Sequence, residues 1–242
     1  MNRLRYTIPN SFTALSLLLG VASIVTAQIG ELELAAWIII WCALLDVMDG
    51  LSARLLKATS DFGAEFDSMA DLVSFGVAPA VLMLNAGMQI AGIDSGSEQF
   101  WVLLVAIGVF ALAGAMRLAR FNLYSDQPST GWFAGVPITA AGGGMVPAVV
   151  LVLIHNPDLA ASLPLRLYLP ILMFVLALLM ISRLRFPKAV KRDGLFINIV
   201  QATIILAVYY CGITRSHPEF LLGLGIFVLI SGIIAGRVTR HS

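Results

Sequence analysis

Charge is what this sequence has least of. Acidic and basic residues together make up 12% of its 242 residues, while 59% are apolar and the mean hydropathy is +0.92. A soluble domain carries about twice that share of charge. The shortfall excludes a soluble globular enzyme, a disordered chain and a nucleic-acid binder. Cysteine is scarce as well. Cys42 and Cys211 both lie in apolar runs, which argues for packing and against a disulfide framework or a thiolate metal site. No internal repeat or low-complexity tract is present, and no small-residue cleavage site follows the first apolar run. The net charge of +1 says little, because fifteen basic residues nearly cancel fourteen acidic ones.

Apolar runs are abundant. A helix crosses a bilayer with about 20 apolar residues. That ruler gives eight candidate spans: Phe12–Ala27, Leu34–Leu51, Met69–Ile90, Phe100–Leu118, Ile138–Ile154, Leu167–Ile181, Phe196–Tyr210 and Phe220–Ala235. The expected fold class is therefore all-α, a polytopic membrane helical bundle with a single domain over residues 1–242. The third span contains Ser74, Gly76 and Pro79 and is expected to bend. Residues 1–10 carry Arg3 and Arg5 among Leu4, Tyr6 and Ile8, and are expected to lie as a short interfacial piece.

The basic residues set the orientation. With the N-terminus cytoplasmic and the spans alternating, only Arg166 and Arg215 of the fifteen fall outside. Every cytoplasmic loop then carries basic residues, as membrane insertion favours, and an odd number of spans would spoil the pattern. The expectation is a multi-pass protein of the cell's inner membrane. The densest basic run holds Arg183, Arg185, Lys188, Lys191 and Arg192, an anchor or a partner for anionic headgroups.

Four acids stand out against this background. Asp46 and Asp49 end the second span and Asp67 and Asp71 begin the third. A charge at the membrane centre costs about 2.5–3.5 kcal/mol on insertion scales, so four together need a compensating partner. Asp46 and Asp49 are three apart and Asp67 and Asp71 four apart, so each pair shares a helix face. A helical hairpin through Gly50–Phe66 would bring the two faces together. Hard divalent cations would relieve their repulsion, and paired metals are a recurring clamp for phosphoryl chemistry. Asp61 and Glu65, by contrast, read as helix-end caps or solvated loop residues.

The full string is Asp46-x2-Asp49-Gly50-x2-Ala53-Arg54-x8-Gly63-x3-Asp67-x3-Asp71. It resembles the signature of the CDP-alcohol phosphatidyltransferases and departs from it at no fixed position. The resemblance implies a six-helix family core, here followed by two C-terminal helices over residues 196–235. It implies two divalent cations, Mg²⁺ or Mn²⁺, held by Asp46, Asp49, Asp67 and Asp71, with Asp71 also the general base. It implies a CDP-diacylglycerol site at Gly50, Ala53, Arg54, Ser60 and Gly63. Gly50 and Ala53 would leave room for a nucleotide, Arg54 would grip a diphosphate, and Gly63 would let the chain turn between spans. A second resemblance lies near the start: Pro9-Asn10-x2-Thr13 is similar to the family's Pro-Asn-x-x-Thr, which adds Asn10 and Thr13 to the implied donor site.

Three later stretches resemble the serine-using branch of the family. They are Phe75-Gly76-Val77-Ala78-Pro79, Gly114-Ala115-Met116-Arg117-Leu118-Ala119-Arg120-Phe121-Asn122 and Phe133-Ala134-Gly135-Val136-Pro137. Ser16 departs from that branch, which often has Asn there, whereas Gly20 fits. The resemblance implies transfer of the phosphatidyl group from CDP-diacylglycerol to the hydroxyl of L-serine with release of CMP, by a homodimer among membrane lipids. A guanidinium is the natural partner of serine's carboxylate, which points to Arg117 and Arg120, beside Asn122. The alternatives are a glycerol-phosphate or inositol-phosphate acceptor and, in a different class, a cation transporter.

Overall fold

The computed structural model describes residues 4–56, 60–123, 132–187 and 195–238. Arg3, Lys57, Lys188, Lys191, Arg192 and Arg240 lie outside the described residues, as do the side chains of Arg5, Arg54, Arg185 and Arg237. Among the described residues ten α-helices dominate: α1 Leu4–Gln28, α2 Leu32–Leu56, α3 Asp61–Asp71, α4 Ala78–Gln89, α5 Glu98–Leu123, α6 Val146–His155, α7 Pro157–Ser162, α8 Leu165–Ile181, α9 Leu195–Thr214 and α10 Pro218–Val238. Six of the eight predicted spans fall on helices of this set, and the third and fifth combine α-helix with π-helix. Four stretches meet the length and hydropathy of a membrane crossing: Thr7–Gln28, Leu32–Ala53, Asp61–Gln89 and Glu98–Leu123. The apolar residues Leu15, Leu18, Val21 and Val25 form an exposed stripe on α1 at helical spacing, and Val105, Leu112 and Met116 are exposed on α5. Such faces are stable against hydrocarbon rather than water, and the chain is a helical membrane protein.

Helix α1 runs through Pro9 without a break, so residues 4–10 continue one long helix rather than forming a separate piece. It ends in a Schellman motif. Glu31 N–H donates to Thr26 O at 3.1 Å, Gly30 N–H donates to Ala27 O at 3.2 Å, and Gly30 takes φ +94°. The chain thereby reverses in three residues, and α2 returns along α1. Small residues at the contact, Ala27, Ala35 and Ala36, are fully buried, and Ser23 Oγ donates across it to Ala35 O at 2.9 Å.

The predicted bend in the third span is a π-helical stretch, Leu72–Val77, that joins α3 to α4 as one continuous rod. A second π stretch, Thr139–Met145, leads into α6. Each is followed by a proline near the start of the next helix, Pro79 in α4 and Pro147 in α6. Proline lacks the N–H that an α-helix needs and crowds the carbonyl four residues back; a π turn accommodates both. The two stretches pack on each other. A methyl group on Gly142 would collide with Phe75 O, and one on Gly143 would press on the Phe75 ring and Ala43. Glycine here permits backbone-to-backbone approach beside Asp71.

One feature departs from an all-α expectation. A short antiparallel ribbon pairs β1 Trp132–Ala134 with β2 Arg185–Pro187, in register Trp132↔Pro187, Phe133↔Phe186 and Ala134↔Arg185. It lies where α5 and α8 end. Helices α9 and α10 pack outside this core, α9 on α2 and α10 on α6, the second π stretch and β2.

Candidate active site

Helix α2 ends and α3 begins at the same end of the bundle. The spacing within each helix turns Asp46 and Asp49 of the first toward Asp67 of the second. Each of these three offers a carboxylate oxygen within 4.8 Å of the others. Thr13 of α1 reaches in from a third direction. Its Oγ1 donates to Asp49 Oδ2 at 2.9 Å, and both residues are buried. A hydroxyl so placed fixes the free face of the carboxylate. The oxygen-only donor set fits a hard divalent cation such as Mg²⁺ or Mn²⁺. Asp71 is not one of this closely spaced trio; it lies one turn further along, beside Asp46.

Two cavities meet at the trio. The larger, about 500 Å³, is lined by Asp46, Asp67 and Asp71, by Asp61, Glu65 and Ser68 of α3, by Arg117, Leu118, Phe121 and Asn122 of α5, and by Pro137 and Thr139. The smaller, about 160 Å³, is lined by Pro9, Asn10 and Thr13 of α1, by Asp49, Gly50 and Ala53 of α2, and by Ser60 and Gly63. Ala64 and Asp67 line both. Helix α3 is the partition, and the carboxylates sit where the two chambers touch.

The structure refines several sequence expectations. Asn10, Thr13, Gly50, Ala53, Ser60 and Gly63 converge on one chamber. Nothing approaches a methyl group placed on Gly50, so that wall is open. Gly63 does not turn the chain. It lies in the first turn of α3, where a side chain would press on Ser60 Oγ at 3.1 Å and Asn10 Oδ1 at 3.3 Å. Ser60 caps that helix, accepting from Gly63 N–H at 3.0 Å. Asp61 and Glu65 are therefore not the caps; both are exposed, as the solvated reading expects, and both line the larger cavity. Arg117 and Asn122 line it too.

Arg120 does not line that cavity. Its Nη1 donates to Ile181 O at 3.1 Å, and its Nη2 donates to Ala134 O at 2.8 Å and reaches Met180 O at 3.3 Å. It thus caps the C-terminal end of α8 and ties it to β1. The loop that follows β1 is bound to the same place, since Gly135 N–H donates to Leu184 O at 2.8 Å and Val136 N–H to Leu179 O at 3.1 Å. Gly135 takes φ +78°, and a side chain on it would collide with Met180 O. The clasp delivers Pro137 and Thr139 to the cavity wall. Ser16, where the serine-using branch often has Asn, serves packing: its carbonyl accepts from Ser74 Oγ at 3.0 Å and from the Cys42 thiol at 3.3 Å. Thr139 and Ser68 were not singled out in the sequence. Ser68 follows Asp61 and Glu65 at i+7 and i+3, a stripe that was readable.

Residues 6–182 match the CDP-alcohol phosphatidyltransferase family. The chain belongs to that family. Among its relatives, the CDP-diacylglycerol–serine O-phosphatidyltransferase of Helicobacter pylori strain ATCC 700392 / 26695 is 36% identical over 230 residues, 95% of this chain and 90% of that one. The protein of the same name from Methanocaldococcus jannaschii is 35% identical over 228 residues, 94% and 93% of the two chains. That of Bacillus subtilis strain 168 is 33% identical over 184 residues, 76% of this chain and 92% of its own. The family match ends at the close of α8, whereas the first two relatives extend across α9 and α10.

Proposed function

We propose that this phosphatidyltransferase moves the phosphatidyl group of CDP-diacylglycerol to the hydroxyl of L-serine and releases CMP. The observation that carries the reading is the pair of chambers sharing Asp67, one walled by the signature's small residues and the other by Arg117. A two-substrate transfer needs both reactants held against one reacting centre. The relatives' shared name supplies the acceptor.

The smaller chamber takes the cytidine diphosphate, with the acyl chains passing into the bilayer. Asn10, Thr13, Gly50, Ala53, Ser60 and Gly63 form its walls, and Arg54, on the same helix as Gly50, is assigned to the diphosphate. Asp46, Asp49 and Asp67, with Asp71 at the far side, would hold two divalent cations, Mg²⁺ or Mn²⁺. Ions held there would neutralise the negative charge that builds on the CMP phosphate as it leaves. Serine enters the larger chamber, where Arg117 receives its carboxylate and Asn122 forms part of the same wall. An Asp71 carboxylate oxygen takes the proton of the serine hydroxyl, which is otherwise a poor nucleophile. The hydroxyl oxygen bonds to the phosphorus that carries diacylglycerol, the bond from that phosphorus to the CMP oxygen breaks, and CMP leaves.

The reading includes a cytoplasmic site in the inner membrane, supported by the distribution of basic residues, and a homodimer, supported by family resemblance. The test is CMP release by purified protein supplied with CDP-diacylglycerol and L-serine, glycerol 3-phosphate or an inositol phosphate, with Mg²⁺ or Mn²⁺ and after chelation. Release with serine alone, lost on chelation, is expected. Release with a phosphorylated alcohol and none with serine overturns the acceptor; undiminished release after exhaustive chelation overturns the metal role.

A further inference from the structure

Serine brings three polar groups, and the reading above employs two of them. The hydroxyl meets Asp71 and the carboxylate meets Arg117, but the ammonium also leaves water when the acceptor binds. A cation so transferred needs a charged or hydrogen-bonding partner. We infer that Glu65, braced by Asn122, receives the ammonium and makes the larger chamber selective for an amino-acid acceptor; this inference rests on the serine reading.

The geometry of α3 places the group. Glu65 and Ser68 are three residues apart on the face that looks into the cavity, next to the face carrying Asp67 and Asp71. An acceptor whose hydroxyl lies at Asp71 has Glu65 within one to two turns along the same helix. Arg117, only 7% exposed, lines the same chamber from α5. The chamber therefore offers a cation and an anion on different helices, as a zwitterion requires.

Glu65 is also held from outside its own helix. Asn122 Nδ2 donates to Ser68 Oγ at 3.0 Å and reaches Glu65 Oε2 at 3.5 Å. That bridge joins α5 to α3 at the cavity wall, where the exposed Glu65 carboxylate is open to a ligand. Glu65 stands apart from the closely spaced carboxylate trio of Asp46, Asp49 and Asp67. The same negative charge opposes a phosphorylated alcohol, which would set its phosphate against Glu65 and Asp61. Discrimination then comes from repulsion of the wrong acceptor as well as attraction of the right one.

The test compares wild type with Glu65→Gln and Glu65→Ala, using L-serine and glycerate, which keeps the primary hydroxyl and carboxylate but replaces the ammonium with a hydroxyl. Both variants are expected to raise the serine KM by about tenfold or more, with kcat reduced less and the CDP-diacylglycerol KM unmoved. The preference for serine over glycerate should fall by a similar factor. Glu65→Gln keeps the shape and removes only the charge, and an unmoved donor KM reports an intact fold. Wild type that uses serine normally, with an unchanged serine KM and an unchanged serine-to-glycerate ratio in both variants, overturns the role of Glu65 alone. Wild type that releases no CMP with serine overturns the reading beneath it.

Discussion

Asp71 differs from the other signature aspartates in where it stands. Asp46, Asp49 and Asp67 gather within 4.8 Å, while Asp71 lies outside that trio on the wall of the larger chamber, the one proposed for the acceptor. A carboxylate at that place is suited to proton transfer. Asp71→Asn keeps the size and removes the ability to take a proton. It is expected to lower turnover by about 100-fold or more while leaving donor binding largely intact, measured by CMP release alongside titration with a CDP-diacylglycerol analogue. Wild-type-like release would remove Asp71 from the base role. The four aspartates were legible in the sequence because a charge in an apolar helix is conspicuous and the helical period fixes its direction. Glu65 was not, because its meaning depends on Asn122, far away in the chain, and an acid near a helix start reads equally well as a cap. Gly63 was misread for a related reason: a glycine between two spans suggests a turn, and only the approach of Asn10 shows that the requirement is space.

Arg117 and Arg120 show what one helix face can hide. Residues three apart are neighbours, yet they are separated by about 60° around the axis. Arg117 points into the bundle, and Arg120 points to the end of α8, where the carbonyls of Met180 and Ile181 have no helical partner of their own. The clasp holds α5, β1 and α8 together and so sets the position of Thr139. Arg120→Ala is expected to lower thermal stability in detergent, by an amount equivalent to about 1–3 kcal/mol, and to impair both substrates together. A selective rise in the serine KM at unchanged melting temperature would return Arg120 to the acceptor site. That the third span departs from a regular α-helix was legible from Pro79. The second π stretch had the same ingredients, a glycine run before Pro147, but its need is tertiary: Gly142 lies against Phe75 O of the first stretch. No period within one segment reports a contact with another. The ribbon of β1 and β2 was invisible for the same reason, since three-residue strands leave no alternation to read.

At the scale of the whole molecule, scarcity of charge becomes an argument about orientation. The carboxylate trio, the start of α3 and the end of α5 share one end of the bundle, and the sequence assigns that end to the side rich in lysine and arginine. Arg166 belongs to the other end, where its guanidinium donates to the carbonyls of Ala91 at 3.2 Å and Gly92 at 2.9 Å. An arginine so engaged in a loop joins α8 to the α4–α5 connection, which gives it a structural reason to stand on the less basic side. The C-terminal hairpin reaches α2 through two bonds to main-chain carbonyls. Trp41 Nε1 donates to Gly212 O and Tyr209 Oη to Leu44 O, each at 2.7 Å, the latter two residues before Asp46. Its position on α2 fixes where the C-terminal pair sits relative to the site. Single cysteines test the assignment, because the native thiols, Cys42 and Cys211, are buried and free. Ser95→Cys, in the exposed α4–α5 connection, is expected to react with a membrane-impermeant maleimide in intact cells. Leu123→Cys, 80% exposed at the end of α5, should react only after the membrane is opened. The reverse pattern would place the aspartates outside, away from the CDP-linked donor, and the orientation would be overturned even if the chemistry were not.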